Sequence, residues 1–388
     1  MKICILHRYP ISDVILTNPS MPYFLEELKS RGHETIYMSF RDKAMKKING
    51  IKFSYIPFTF DRGKSFDKHL KSLIFILIAP YIAYRIRKLK PDAIYCDDSL
   101  LFYGYLIKKF TRLPVIIRLG DLQTGYLFLK KSRIHRLLFR LFHGFEVHSW
   151  KRLDGLIPIS KPFERYLVSK GIKESKLSTV LESVDLKSFG NKSRDIRKEY
   201  GLNKDDIILM YHGVIEPLKG LDILINLITP ILKNNSKLKL FIIGSGTSLP
   251  KLKALARKRS IENSIIWAGW VPFSEIKDYI NSCDIGIPIR SDNFANNFVV
   301  TSALLQYWAC SKAVITPKLE SFKEIIQEGE NGFMFDFNTR ELSEKLENII
   351  ADKNLRLKLG RNGNSTMKKK FSASVIGKNL ADAIEKCL

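Results

Sequence analysis

Short runs of branched aliphatic residues alternate along the chain with longer stretches whose apolar positions recur at helical spacing. In the first half the strand-like runs are 2–7, 34–38, 52–56, 93–96, 115–119 and 155–159. Helical stretches fit between them near 21–31, 68–89, 99–110, 132–150 and 161–170. A run that is apolar throughout, such as Ile3–Leu6, has no polar face. It predicts a strand buried on both sides, as in a parallel sheet covered by helices. Residues 187–206 are polar and include Gly190, Asn191 and Ser193, which reads as a linker or a helix leading into a second unit. The rhythm then restarts, with strands at 207–212, 238–243, 264–267, 285–287 and 313–316. Helices fit near 219–233, 249–259, 273–281, 300–310, 320–328 and 339–350, and two basic helical stretches, 352–369 and 373–387, close the chain. The pattern predicts an α/β protein of two doubly wound, Rossmann-like domains facing a central cleft, with ligands at the carboxyl ends of the strands. The predicted boundaries are 1–190 and 191–370, with a terminal helix at 371–388 packing back on the first domain.

Composition removes several alternatives. At 388 residues and 45% hydrophobic, the chain builds a core without staples. Its five cysteines (Cys4, Cys96, Cys283, Cys310, Cys387) are odd in number and far apart, which excludes a disulfide framework and suits a reducing compartment. No Cys/His cluster or HExxH pattern exists, so no metal is expected, and His135, His143 and His148 read as surface or interface residues. Met1–Leu6 has no long apolar extension, so no secretory leader is expected. The most apolar window, Leu73–Tyr84, is interrupted by Pro80 and is shorter than the ~20 residues that span a bilayer.

Charge is uneven. Residues 1–195 hold 36 basic and 18 acidic residues (net +18), and the rest hold 28 and 21 (net +7), together the +25 of the whole chain. Such a surface attracts phosphates, nucleic acid or an anionic membrane leaflet. The segment 130–150 sets Arg133, Arg136 and Arg140 beside Leu137, Leu138, Phe139, Leu141 and Phe142, so it reads equally as an amphipathic lipid-facing helix or as a core helix with solvated ends. The segment 68–90 reads as a core helix with basic ends. No nucleic-acid recognition motif accompanies the charge.

Candidate chemistry gathers in the second half. Tyr211-His212-Gly213-Val214-Ile215-Glu216-Pro217-Leu218-Lys219-Gly220 follows a strand and opens a helix. A glycine at the strand end admits a ligand to the backbone, and Lys219 adds a point charge to the helix dipole, a pairing that suits a diphosphate. Phe241-Ile242-Ile243-Gly244-Ser245-Gly246 ends a strand in Gly-x-Gly, but the full dinucleotide fingerprint GxGxxG is absent. From Pro288 the chain runs through Arg290 and an Asn-rich loop, 292–297, into a helix at 301–310 whose first amides offer another anion site.

These pieces, in this order and at these strand ends, resemble the GT-B glycosyltransferases of the retaining family-four type. Further matching stretches are Trp267-Ala268-Gly269-Trp270-Val271, Cys283-Asp284-Ile285, Glu324-Ile325-Ile326 with Glu330-Asn331-Gly332-Phe333, Arg31-Gly32-His33-Glu34, and 154–160. The resemblance implies a nucleotide-sugar donor held by Gly213, Lys219, Gly244, Gly246, Arg290, Val299, Val300, Thr301 and Gln306. It implies a metal-independent retaining transfer without a cofactor, in which the donor phosphate takes the acceptor proton and positive charge meets the leaving diphosphate. Lys219 and Asp121 are the residues it places closest to the reaction, and Arg118 and Asp121 are the acceptor-binding candidates. Asp121 reads equally as a helix cap, and Asp97 and Asp98 read as caps of a helix starting at Ser99.

The chain also departs from the family pattern. Val214 stands in place of an arginine, Phe298 and Gln306 stand where the family has a glutamate pair, and the glycine-rich loop after the first strand is missing. Two functions therefore stand as expectations. One is a glycosyltransferase acting on a glycan or lipid-linked acceptor, cytoplasmic and peripheral at the inner face of the plasma membrane. The other is a catalytically impaired GT-B scaffold with a binding or partner role. Nucleic acid is not an expected partner.

Overall fold

The computed structural model describes residues 1–41, 51–57, 74–97, 102–125, 133–189 and 194–388. The chain forms two compact units, Met1–Ser183 with Ala373–Leu388, and Val184–Ser372. The division falls at 183/184, where the sequence placed it at 190/191, and the terminal helix Ala373–Cys387 is part of the first unit.

The first unit is built on strands β1 (Lys2–Leu6), β2 (Glu34–Phe40), β3 (Lys52–Ile56), β4 (Ala93–Cys96), β5 (Val115–Leu119) and β6 (Gly155–Pro158). They pair in parallel in the order β3-β2-β1-β4-β5-β6. The apolar runs explain the arrangement: β4, β5 and β6 are buried along their whole length, which only helices on both faces can provide. Helices Met21–Ser30 and Ala373–Cys387 pack on each other. Gly377 permits this, since a Cβ there would lie 2.7 Å from the Phe24 amide nitrogen. The Arg31-Gly32-His33-Glu34 stretch is the clasp of this pair. Arg31 meets Glu385 and Asp382 at 2.6 Å each, and His33 Nε2 meets Glu385 at 2.8 Å.

The second unit repeats the scheme with β7 (Ile207–His212), β8 (Leu238–Ile243), β9 (Ile265–Gly269), β10 (Ile285–Gly286), β11 (Ala313–Pro317) and β12 (Phe333–Phe335), in the order β12-β11-β10-β7-β8-β9. Each sheet reverses its winding once, between β1 and β4 and between β7 and β10. Ligands of doubly wound sheets bind at the strand ends beside that reversal.

The helix Ile11–Thr17 and the three-residue β12 were not predicted, because each is too short to show a period: among the described side chains of that helix, Ile11 and Val14 belong to the core. The helix expected over 320–328 is a single turn, Glu320–Lys323. Asn331 accounts for the early stop. Buried at 1% exposure, it donates to the carbonyl of Ile325 at 3.1 Å and accepts from the amide of Gln327 at 2.8 Å.

The helix Lys353–Lys370 carries Gly360 and Gly363, which local propensity disfavours by about 1 kcal/mol each. Tertiary packing accounts for both. A Cβ on Gly363 would lie 2.1 Å from the Trp308 ring, and one on Gly360 would lie 1.9 Å from the Ser311 carbonyl oxygen. Gly144, in the helix Arg133–Arg152, has open space around its Cβ position. Gly144→Ala is therefore expected to raise the melting temperature by up to about 1 kcal/mol of stability. Gly363→Ala is expected to lower the melting temperature, with a loss of about 1–3 kcal/mol of stability, because overpacking outweighs the gain in propensity. Thermal unfolding of the two variants beside the parent checks both signs.

Candidate functional site

Beyond the ends of β7 and β8 two loops lie directly against one another. The amide of Gly213 donates to Ile243 O at 3.0 Å, that of Ile215 to Ser245 O at 2.9 Å, and that of Ser248 to Ile215 O at 3.1 Å. The contact leaves no space for side chains. A Cβ on Gly244 would lie 1.9 Å from Gly213 O, and one on Gly246 would lie 2.2 Å from Ile215 O. Gly213, Gly244 and Gly246 also sit at φ of 143°, 137° and 159°. The Gly-x-Gly pair is thus first a requirement of loop on loop, and it brings the backbone of residues 213–215 over the strand ends where a donor would lie. Tyr211 Oη donates to Val214 O at 2.9 Å and fixes the crest of the loop, so Val214, exposed, stands where the family arginine would project.

Lys219 ends a 3₁₀ turn, Pro217–Lys219, ahead of the helix Leu221–Asn234. Gly220 joins the two at φ 74°, and a Cβ there would lie 2.7 Å from the Ser291 amide nitrogen. The turn therefore rests on the backbone that follows β10. Asn296, buried in the Asn-rich loop, ties the contact together. Its side-chain amide donates to Ser291 O at 2.8 Å and Leu218 O at 3.3 Å, and its Oδ1 accepts from Arg290 at 3.1 Å. The segments that carry Lys219 and Arg290 are thus in contact on either side of the β7/β10 reversal. The Glu216 carboxylate is held below its usual range by bonds from the Thr247 hydroxyl and amide, and Lys219 adds to the effect.

Val299, Val300 and Thr301 lead into the helix Ser302–Ala309. The Thr301 hydroxyl caps it by accepting from the Ala303 amide at 3.3 Å, and Ser302 is exposed at the helix start. Phe298, in place of a carboxylate, is buried edge-on against Phe294 with ring centroids 5.0 Å apart. Gln306 meets His212 Nε2 at 2.7 Å, and His212 Nδ1 meets Tyr307 Oη at 2.8 Å. Sequence reasoning passed over His212, Asn296 and Tyr307. The signal for Tyr307 was Gly286, whose Cβ would lie 2.3 Å from the Tyr307 ring.

In the first unit the carboxyl ends of β4 and β5 hold a polar cluster. Arg118 on β5 is 6% exposed and donates to Leu181 O at 3.2 Å. Asp97 and Glu182 flank it at 3.9 Å, a loose pairing. Asp97 accepts from Tyr95 Oη at 2.9 Å and Asn18 Nδ2 at 3.0 Å. Asp98 and Ser99 lie outside the described residues. Burial raises the Glu182 carboxyl, and Arg118 opposes that while Asp97 and Asp121 reinforce it. Asp121, whose carboxylate accepts from Gln123, is therefore a neighbour of this cluster.

The histidine reading needs one correction. His143 is not at the surface: 9% exposed, it stacks on Phe139 and meets Tyr166 Oη at 2.6 Å and Thr124 Oγ1 at 3.0 Å. Buried Glu146, one helical turn on, completes the set with bonds to both His143 and Thr124. These buried groups bond to one another, and an unpaired one would cost about 1–3 kcal/mol. His148 meets Arg152 at 2.9 Å, and the His135 side chain lies outside the described residues. Among the described residues no group of His, Cys, Asp and Glu has the arrangement of a metal site, and no helix is long and apolar enough to cross a membrane.

Residues 192–366 match the family described as Glycosyl transferases group 1. An uncharacterized glycosyltransferase of Methanocaldococcus jannaschii is 32% identical over 180 residues, 46% of this chain and 48% of that protein. The chain thus spans about half the length of that relative. An N,N'-diacetylbacillosaminyl-diphospho-undecaprenol alpha-1,3-N-acetylgalactosaminyltransferase of Campylobacter jejuni is 22% identical over 353 residues, 87% of each chain. Anabaena HepE, solved with UDP and glucose, superposes with a TM-score of 0.74 at 16% identity over 99% of both chains, a likeness of fold.

Gly244→Ala is expected to separate the two loops. Stability should fall by about 1–3 kcal/mol, and any nucleotide binding should fall with it. Chemical denaturation and calorimetry on the same preparation check both.

Proposed function

With residues 192–366 belonging to the glycosyl transferases group 1 family on a GT-B fold, we propose that this protein is a glycosyltransferase. It moves a sugar from a nucleotide-sugar donor held by the second unit to a glycan or lipid-linked acceptor, with retention. The observation that carries this reading is the convergence at the β7/β10 reversal. There the 213–215 backbone lies on the loop after β8, the segments carrying Lys219 and Arg290 lie against one another, and Gln306 of the helix Ser302–Ala309 meets His212 at the end of β7. A donor diphosphate accumulates negative charge as its bond to the sugar breaks. Lys219, Arg290 and the helix amides offset that charge without a metal, and no cofactor takes part. Gln306 offers its amide to a ribose hydroxyl, as a neutral substitute for a carboxylate. The donor phosphate itself takes the acceptor proton on the face where the bond breaks. Arg118 and Asp121 hold the acceptor, with Asp97 and Glu182 beside them. The Campylobacter relative, whose name specifies a diphospho-undecaprenol substrate, supports an acceptor of the lipid-linked class.

The first unit's exposed chemistry supports docking on an anionic membrane surface, at the inner face of the plasma membrane. The helix Arg133–Arg152 exposes Ile134, Leu137, Leu141, Phe142 and Phe145 beside exposed Arg136 and Arg140. The helix Ala79–Leu89 buries Ala79, Ile82, Ala83 and Ile86 but exposes Tyr81 and Tyr84, with Lys88 Nζ 4.7 Å over the Tyr84 ring. A groove of about 660 Å³ beside Phe110 is lined by Tyr84, Arg87, Lys88 and Lys90. Apolar side chains set among cations suit the interface of an anionic leaflet. The charge is assigned to lipid rather than to nucleic acid.

A thermal-shift panel of nucleoside diphosphates and sugar nucleotides tests the donor reading, and stabilisation by none of them counts against it. Lys219→Ala should weaken the nucleotide that binds by roughly tenfold to a hundredfold, the ~1.5–3 kcal/mol of a charge-assisted bond, with the melting temperature unchanged. Binding with no turnover on any acceptor would favour the scaffold alternative, to which buried Phe298 lends support.

Sedimentation with vesicles tests the surface. Binding is expected to require anionic lipid and to weaken with salt. Arg136→Glu with Arg140→Glu should abolish it and leave nucleotide binding intact. Equal binding to neutral vesicles would refute docking by charge.

A further inference from the structure

His212 ends β7 and lies edge-on to Tyr307, with ring centroids 4.8 Å apart at 74°. Nδ1 is 2.8 Å from Tyr307 Oη, and Nε2 is 2.7 Å from Gln306 Oε1. Tyr307 Oη is also 2.7 Å from the carbonyl oxygen of Met210. These three distances settle where the protons are. Two oxygens 2.7 Å apart need a hydrogen between them, and a carbonyl has none to give. The single hydroxyl proton of Tyr307 therefore points to Met210 O. That leaves Oη as an acceptor, so His212 Nδ1 carries the ring proton. Burial pushes the imidazole down to about 4, so at neutral pH the ring has one proton and Nε2 is bare. A bare nitrogen 2.7 Å from an amide requires the NH2 end. The two ends of a glutamine amide have the same shape, and the proton count chooses between them. That count favours the Gln306 amide turned over about its last bond, with the NH2 in toward His212 and the carbonyl oxygen out. The outer atom has no hydrogen-bond partner among the described residues and is not sealed from water.

We propose that His212 is a positioning residue whose bare Nε2 holds Gln306 with its carbonyl oxygen outward, as a fixed acceptor for a hydroxyl of the donor's ribose. The inference rests on the ribose reading of Gln306 given above. It also gives a reason for glutamine at this position. A glutamate has no hydrogen to offer Nε2, and would force the ring to take up a second proton and form an ion pair with it.

Two measurements on the full chain test the proposal. The first is the ¹⁵N NMR spectrum of the His212 imidazole at neutral pH, which decides whether or not any nucleotide binds. The Nδ1–H tautomer is expected, and an Nε2–H ring or a doubly protonated one overturns the proposal. The second is calorimetric titration with uridine diphosphate and its 2′,3′-dideoxy analogue. The parent is expected to prefer the ribonucleotide, and equal binding of the two removes the ribose reading and this inference with it. His212→Asn keeps a partner for Tyr307 and none for Gln306, so roughly two- to tenfold of the preference should be lost in a variant that circular dichroism shows to be folded. His212→Gln, which restores an acceptor near the Nε2 position, should recover most of it. If His212→Asn keeps the parent's preference, or weakens both nucleotides equally, the histidine is purely structural and the proposal is wrong.

Discussion

A side chain missing at Gly244 lets the backbone leaving β7 lie on the backbone leaving β8, and the candidate donor site depends on that contact. With Gly213 O only 1.9 Å from where a Cβ would stand, any other residue would lift the 213–215 loop off the strand ends. The loop in turn sets the path to Pro217–Lys219, and Gly220 seats that turn on Arg290 and Ser291. Lys219 and Arg290 are far apart in sequence, and two glycine contacts bring their segments together. The parallel sheet provides the frame: its winding reverses between β7 and β10, so both segments leave from neighbouring strands and no intervening strand separates them.

Buried polar groups then fix the finer geometry. In the second unit Met210 O, Tyr307, His212 and Gln306 form a line of single hydrogen bonds in which each proton has one place. In the first unit Thr124, Glu146 and His143 are in mutual contact, and Tyr166 meets the other ring nitrogen of His143. Leaving one such group unpaired costs about 1–3 kcal/mol, against a total stability of only about 5–15 kcal/mol. Sets of this kind are therefore ordered whenever the unit is folded. The two differ in access. Thr124, Glu146 and His143 are closed off, and their set packs a helix, whereas the second ends in an amide that still reaches water.

The amphipathic helix Arg133–Arg152 shows how one element serves two environments. His143 and Glu146 face inward, and Ile134, Leu137, Leu141 and Phe145 face solvent. Trp150 is buried beside His143, so apolar residues occupy both sides of the helix. An exposed stripe flanked by Arg136 and Arg140 is stable in water only because it is narrow, and it matches the chemistry of a lipid interface.

Much of this architecture was legible in the sequence. Runs such as Ile3–Leu6 and Ile207–Tyr211 have no polar face, and only a doubly covered parallel sheet can bury them, so fold class, strand sites and the strand-end location of Gly213, Gly244 and Lys219 followed from local pattern. The helix Ile11–Thr17, β12 and the single turn Glu320–Lys323 did not follow, because a period cannot be read from so few residues. The inward turn of His143 was also hidden, since a histidine among arginines and leucines has no preferred side until Tyr166 and Thr124 arrive from other segments. Pattern reports burial averaged along one segment. Gly360 and Gly363 look like weak points of a helix until Ser311 and Trp308 are placed against them. Gln306 looks like a lost charge until His212 meets it. Those meanings belong to tertiary structure alone, because hydrogen bonds and hard-core contacts act over about 3 Å, and only the folded chain brings distant residues that close.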